Sequence, residues 1–237
     1  MSVNYQTAYE PKTLFQKLRR AAANALGRER ANRLSAPFHD WLARRRTRAC
    51  LQALPASGLL VNLGCGYRPL RGWVNVDAAR GPQVDVVWDL RQGLPFAAAS
   101  CAAIFCEHVI EHLTKADGER LLRECSRVLQ PGGVLRLSTP DAGRFLRSYA
   151  GDQAFLYHPG FTEPIETPLD RINQMMREYG QHLWVYDAAS LRAAMRRAGF
   201  AATAERAFGE SPHAAVRGVD SPDRAFESLY VEAVNGE

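Results

Sequence analysis

Short apolar runs, each closed by glycine, proline or an acid, recur from residue 59 onward. Those at 59–63, 73–77, 84–88, 102–106 and 133–138 have the length and bounding residues of buried strands. Two more, 201–208 and 228–234, complete the set. Helical spacing predicts a helix over 115–129, with Leu121, Leu122, Cys125, Val128 and Leu129 on one face and Gln130-Pro-Gly-Gly133 as its stop. A second is predicted over 187–198, opened by Asp187-Ala-Ala-Ser190 and closed by Gly199. Strand and helix in alternation predict an α/β fold with a parallel, doubly wound, Rossmann-like sheet.

Two stretches break the alternation. Tyr67-Arg-Pro-Leu-Arg-Gly72 alone joins the first strand to the second. A parallel crossover usually takes a dozen or more residues, so this connection is expected to be a loop or a single turn. The other stretch, 151–186, is long for a connection. It holds Phe155, Tyr157, Phe161, Met175, Met176, Tyr179 and Trp184 among Pro159, Pro164 and Pro168. It is expected to fold as a cap over the carboxyl edge of the sheet, or else to seal the domain or a dimer face.

Charge separates the N-terminus from the rest. Residues 1–50 carry 11 Lys/Arg against 3 Asp/Glu in a chain of net charge +5, so the remainder is near −3. Helical periodicity is predicted over 12–26 and over 36–54, the latter beside the run Arg44-Arg-Arg-Thr-Arg48. We therefore divide the chain into a basic helical appendage, 1–57, and an α/β body, 58–237, with the cap inserted at about 151–186. The basic face fits a solvated cap or homodimer contact, or peripheral contact with anionic lipid headgroups or an acidic glycan. No recognition module accompanies it, so nucleic acid is not expected. Five cysteines without a C-x-x-C pair favour reduced thiols. Without a signal-peptide pattern or an apolar run of ~20 residues, a cytoplasmic protein is expected.

The chemistry starts where the first strand ends. Leu59-Leu-Val-Asn-Leu runs into Gly64-Cys-Gly66, and Asp77 follows at the tip of the next strand. Glycines there let backbone approach a ligand, and an acid on the next strand can hold a ribose through its hydroxyls. A dinucleotide fingerprint would need a third glycine at position 69, which is Pro69, and its acid ~20 residues on, whereas Asp77 comes 11 residues after Gly66.

Val61-Asn-Leu-Gly-Cys-Gly66, Asn75-Val-Asp77, Asp85-Val-Val-Trp-Asp-Leu90, Leu94-Pro-Phe96, Glu107-His-Val-Ile-Glu-His-Leu113, Arg127-Val-Leu-Gln-Pro-Gly-Gly133 and Ser138-Thr-Pro-Asp141 follow one another in the order of class I S-adenosylmethionine-dependent methyltransferase motifs. The chain resembles that superfamily over about residues 58–208, and within it the type 11 methyltransferases. Gly209-Glu-Ser, Arg217-Gly-Val-Asp220 and Leu229-Tyr-Val-Glu-Ala233 are similar to a bacterial subgroup often associated with surface polysaccharide biosynthesis. The resemblance implies seven strands, mostly parallel with an antiparallel last strand, and S-adenosyl-L-methionine as cofactor, released as S-adenosyl-L-homocysteine. It implies that Gly64 and Gly66 line the methionine half, with Asn62 and Cys65 in the same motif. Asp77 would hold the ribose, Asp89 and Leu90 the adenine, and Glu107 and His108 would end the fourth strand beside the sulfonium.

Methyl transfer to a hydroxyl also needs a proton acceptor. On one helical turn His108, Glu111 and His112 would share a face, and His182, just before the last helix, is within reach of the same crevice. His108-x-x-Glu111-His112 also spells an inverted zinc-protease motif, out of place between methyltransferase motifs. Ubiquinone O-methyltransferases and plant small-RNA methyltransferases carry Glu-x-x-Glu-His here, which implies a divalent metal; this chain has His108 in place of the first carboxylate. The four residues are thus expected to act as base or orienting groups, to hold a metal, or to cap the turn. The acceptor is expected to be small or glycan-like and methylated on oxygen. A protein, quinone or other metabolite is the alternative acceptor, and a non-catalytic cofactor-binding module the alternative role.

Overall fold

The computed structural model describes residues 28–236, so the helix expected at 12–26 lies outside the described residues. Helix α1 (Arg28–Ala53) starts earlier than the pattern suggested. The chain divides into two compact units between Arg46 and Thr47. In the first, Arg45 lies over the Trp41 ring, 4.8 Å from its centroid. None of the described helices is long and apolar enough to cross a membrane.

The second unit is built on seven strands: β1 (Leu59–Leu63), β2 (Val74–Asp77), β3 (Val86–Val87), β4 (Cys101–Glu107), β5 (Leu129–Pro140), β6 (Phe200–Arg206) and β7 (Ser228–Asn235). Their order is β3-β2-β1-β4-β5-β7-β6. All pairings from β3 to β5 are parallel, and β7 runs antiparallel to both β5 and β6. The order reverses between β1 and β4, and a crevice opens at such a reversal beyond the carboxyl ends of the strands. Gly64–Gly66 leave β1 at that point and His108 leaves β4.

Helices α2 (Lys115–Val128), α3 (Ala142–Ala150), α4 (Pro168–Arg177) and α5 (Ala188–Arg197) complete the unit. α2 buries Leu121, Leu122, Cys125 and Val128 and is capped by Thr114, whose hydroxyl accepts the Asp117 N–H at 3.2 Å. α5 is capped by Asp187, which accepts the Ser190 N–H at 2.7 Å. The core joins Leu63, Ile104, Leu121, Leu135 and Leu191, all fully buried, at about 1.5–3 kcal/mol of transfer free energy per side chain.

The structure refines three expectations. Residues between β1 and β2 form a loop, held by a buried amide network: Asn62 Nδ2 donates to Arg68 O (3.1 Å) and to Asn75 Oδ1 (3.0 Å), and Asn75 Oδ1 accepts Leu70 N–H (2.8 Å). α3 and α4 fill stretches to which periodicity assigned no helix. The stretch 151–186 builds a separate small core, in which Phe145, Leu156, Ile172 and Met175 pack with Phe155 and Phe161. Phe145, Phe155 and Phe161 meet edge-on or tilted at 5.0–5.6 Å. These rings pack on one another, and Phe145 and Phe161 also line the neighbouring cavity.

Candidate active site

Two left-handed glycines, Gly64 (φ +67°) and Gly66 (φ +49°), turn the chain at the end of β1. A Cβ at Gly64 would collide with Val109, whereas the position of a Cβ on Gly66 is open space. Asp77, at the tip of β2, faces this turn. Its Oδ2 accepts the Gly66 N–H at 2.9 Å and its Oδ1 the Ala79 N–H at 2.7 Å. Each oxygen keeps lone-pair capacity for another donor. An open cradle at Gly66 beside an anchored, half-buried carboxylate fits a nucleoside with a methionine tail.

The other cofactor candidates divide. Leu90 is buried beneath the third strand's exit. The Asp89 carboxylate is engaged by Arg91, whose Nε and Nη2 approach to 2.9 and 2.8 Å, and this bond and charge hold it below the usual carboxylate range. An adenine amine would share it with that guanidinium. Asn62 spends both amide N–H groups on Arg68 and Asn75, so its part is to shape the loop. The buried Cys65 thiol is pushed up to about 11 by desolvation, with Asp77 and Asp85 adding to the effect. Glu107 accepts the Ser221 N–H at 2.9 Å, and burial raises its pKa.

His108 follows β4 with φ +50°, a conformation rare outside glycine. Its Nδ1 lies 3.2 Å from Glu111 Oε1 and its Nε2 2.7 Å from Ser228 Oγ. Glu111 is fully buried, and its Oε2 accepts the Thr139 hydroxyl at 3.0 Å. Burial alone would raise the Glu111 pKa, but the bond and charge of His108 outweigh it and keep the carboxylate below its ordinary range. The expected shared helical face is not formed. Ile110–His112 is a single 3₁₀ turn with His108 outside it, and Glu111 lies between His108 on one side and His112 and His182 on the other. The His112 and His182 rings are 5.0 Å apart. Buried His182 bonds Met175 O through Nδ1 and meets the Glu178 carboxylate through Nε2. Ligand atoms of Glu111, His112 and His182 all lie within 4.8 Å of one another, so these three, without His108, are the set with metal-binding geometry.

The stretch expected to form a cap borders a cavity of about 760 Å³, lined by Phe161, Arg171, Tyr179, His182 and Phe226 among others. Its far wall comes from residues 223–227, just before β7, and no local pattern announces that return. Sequence reasoning also missed the buried cluster of Arg136, Asp220 and Glu232, which anchors the chain between β6 and β7. The flag was a lone cation inside an apolar strand.

A glycine turn after β1, an acid at the tip of β2 and a reversal of strand order between β1 and β4 are the features of an α/β protein with a crevice suited to a nucleoside. The family model for the methyltransferase domain matches residues 26–205, most of the chain. The chain belongs to this methyltransferase family, in the class I S-adenosylmethionine-dependent group. It is similar to a probable S-adenosylmethionine-dependent methyltransferase of Mycolicibacterium smegmatis, 43% identical over 63 residues. That match covers 27% of this chain and 24% of the relative, so it spans about a quarter of the relative's length. A S-adenosylmethionine-dependent methyltransferase from Thermotoga maritima is 18% identical, with 90% of this chain and 98% of that one covered at a TM-score of 0.48. A Haemonchus contortus phosphoethanolamine N-methyltransferase is 13% identical, with 81% and 53% covered at 0.45.

Replacing Asp77 by Ala should remove a charge-assisted contact of about 1.5–3 kcal/mol and weaken S-adenosylhomocysteine binding roughly 10- to 100-fold in calorimetry. Asp77→Asn, which keeps the shape of the side chain, should fall between. Unchanged affinity in both variants would place the ribose elsewhere.

Proposed function

We propose that this chain transfers the methyl group of S-adenosylmethionine to a hydroxyl of a small, glycan-type acceptor. The observation that carries the reading is His108: an imidazole fixed on one side by a fully buried carboxylate and presenting its other nitrogen beside Ser228, one residue from the cavity-lining Glu227. When bound, S-adenosylmethionine supplies an electrophilic methyl on a sulfonium. Gly64, Gly66 and Asp77 hold and orient it, the residues over the cavity exclude water, and alignment supplies most of the acceleration. His108 Nε2 takes the acceptor proton as the hydroxyl displaces Ser228 Oγ, and Glu111 holds the ring and balances the imidazolium.

A second reading rests on the geometry of Glu111, His112 and His182. A divalent ion on these three would activate the hydroxyl directly, with His182 released from Glu178. An acceptor screen with methyl-labelled cofactor, run with and without chelator, tests both. Label on hydroxylated sugars regardless of chelator supports the base, and loss that a divalent ion restores supports the metal. Binding of S-adenosylhomocysteine with no turnover on any acceptor favours a cofactor-binding module.

The acceptor's place in surface polysaccharide synthesis rests on the similarity of the Gly209–Asp220 region. A lipid-linked acceptor would also give the basic run at Arg44–Arg48 a partner. Anionic vesicles should then bind the full chain in a salt-sensitive manner; equal binding to neutral vesicles removes that role.

A further inference from the structure

The walls of the cavity carry ionised groups of both signs, and their pairing is uneven. Each carboxylate has a partner. Glu163 accepts the Tyr179 hydroxyl, Glu178 meets His182, Glu227 accepts from Arg224 at 2.9 Å, and Asp223 lies 3.5 Å from Arg68. Of the three arginines on the walls, Arg224 pairs with Glu227 and Arg177 is exposed, whereas Arg171 is buried. It is 6% exposed, yet none of the described residues gives it a carboxylate in salt-bridge contact. Its Nε donates to Leu156 O at 3.0 Å, its Nη2 to Glu163 O at 2.9 Å, and its Nη1 to the neutral Gln174 side chain. Three of its five N–H groups are used and two remain. The guanidinium also lies over Phe161, 4.2 Å from the ring centroid.

A buried cation held by neutral acceptors is costly unless something completes it. Burial pulls the Arg171 guanidinium below its ordinary value, and the charges of Glu163 and Glu227 act the other way without touching it. A planar fork with two spare donors, facing a cavity, matches the geometry of an oxyanion.

We propose that Arg171 is the anchor for an anionic group on the acceptor, a carboxylate or a phosphate, so that the substrates are acidic rather than neutral sugars. This rests on the reading of the cavity as the acceptor site, and it adds the charge of the acceptor to that reading.

Calorimetry on the full chain saturated with S-adenosylhomocysteine tests this without needing turnover. The probes are methyl glucuronide, glucose 6-phosphate and methyl glucoside. One anion should bind about 10- to 100-fold more tightly than the neutral glucoside, the value of a charge-assisted hydrogen-bond pair. Which anion binds tighter separates carboxylate from phosphate. Arg171→Gln should erase the preference and Arg171→Lys should restore part of it, with S-adenosylhomocysteine affinity unchanged in both. The wild-type comparison stands by itself should the Gln variant fail to fold: equal affinities for all three probes, or no binding of either anion, overturns the proposal. An anion preference that persists in a folded Arg171→Gln variant also overturns it. Anion binding that depends on Arg171, without methyl transfer to any hydroxyl, keeps the anchor and rejects the proposed reaction.

Discussion

Replacing His108 by Asn should lower turnover about 100- to 10,000-fold, the usual worth of a positioned base, and leave S-adenosylhomocysteine affinity nearly intact. Asn is the informative choice because of the backbone. His108 sits at φ +50°, and a side chain larger than Asn in this region costs of order 1–3 kcal/mol unless its surroundings over-determine it. Three contacts do so here: Glu111 on Nδ1, Ser228 on Nε2, and the backbone N–H bonded to Ser138 O at 2.9 Å. Asn accepts the same φ but leaves the fully buried Glu111 without the imidazole, so the variant should melt below the wild type. The double variant His108→Asn with Glu111→Gln removes that unpaired charge: recovered stability without recovered turnover assigns His108 to the chemistry, and recovery of both assigns it to the fold. Glu111→Gln should also reduce turnover, because the neutral amide cannot balance an imidazolium, but less than the loss of His108 itself. If chelator abolishes wild-type activity and the Asn variant remains active with added metal, the ion on Glu111, His112 and His182 carries the step.

How far the sequence led depends on how local the cause of each feature is. β1, β2, β4, β6 and β7 were legible to within a residue or two because each is a short apolar run with its own boundary residues. The loop after β1 was legible because six residues are too few for a crossover helix. α3 was not, although Asp141 provides its cap by accepting the Arg144 N–H at 3.0 Å; nine residues with Gly143 among them give too little period. α4 is only one residue longer, and its Thr167–Asp170 capping was hidden in a proline-rich stretch. Among the site residues, the contact between Gly66 and Asp77 follows from neighbouring parallel strands. The split of His108 from His112 does not, since spacing by three and four suggests a common face only if the turn is α-helical. The far wall of the cavity was out of reach for another reason. Arg171 and Phe226 are 55 positions apart, and only the return of the chain before β7 brings both to it.

Arg136→Met should destabilise the protein by about 3–5 kcal/mol, the cost of leaving buried charges without their counterion, and lower the melting temperature by roughly 6–20 °C for a domain of this size. Arg136 is fully buried in β5 between Leu135 and Leu137. Directly opposite on β7 stands Glu232, its carboxylate 2.8 Å from Nη1. Asp220 forks the guanidinium, with Oδ1 2.7 Å from Nε and Oδ2 on Nη2, and the carbonyls of Glu210 and Ala207 accept the remaining N–H groups. Because Asp220 also accepts the Gly209 N–H at 2.7 Å, one cation closes the whole segment between β6 and β7. That segment leads to Ser221, whose N–H bonds Glu107, and to the far wall of the cavity. The Met variant should therefore lose acceptor binding before cofactor binding as temperature rises. Burial would lift the Glu232 pKa, yet hydrogen bonds from Ser211, Arg206 and Arg136 more than offset this and hold it below its ordinary 4.5. A depressed carboxylate stabilises the fold above the unfolded value and loses that contribution as pH falls through the folded one. Wild-type stability should consequently drop as pH falls below about 4.5, and the Met variant should show a shallower drop, because Glu232 there has lost one of the bonds that depress it. Urea unfolding at pH 7 and at pH 4 measures both effects. Replacing Arg136, Asp220 and Glu232 together by apolar residues of similar volume should recover much of the loss, and failure to do so would mean that the cluster fixes the segment's conformation as well as neutralising its charge.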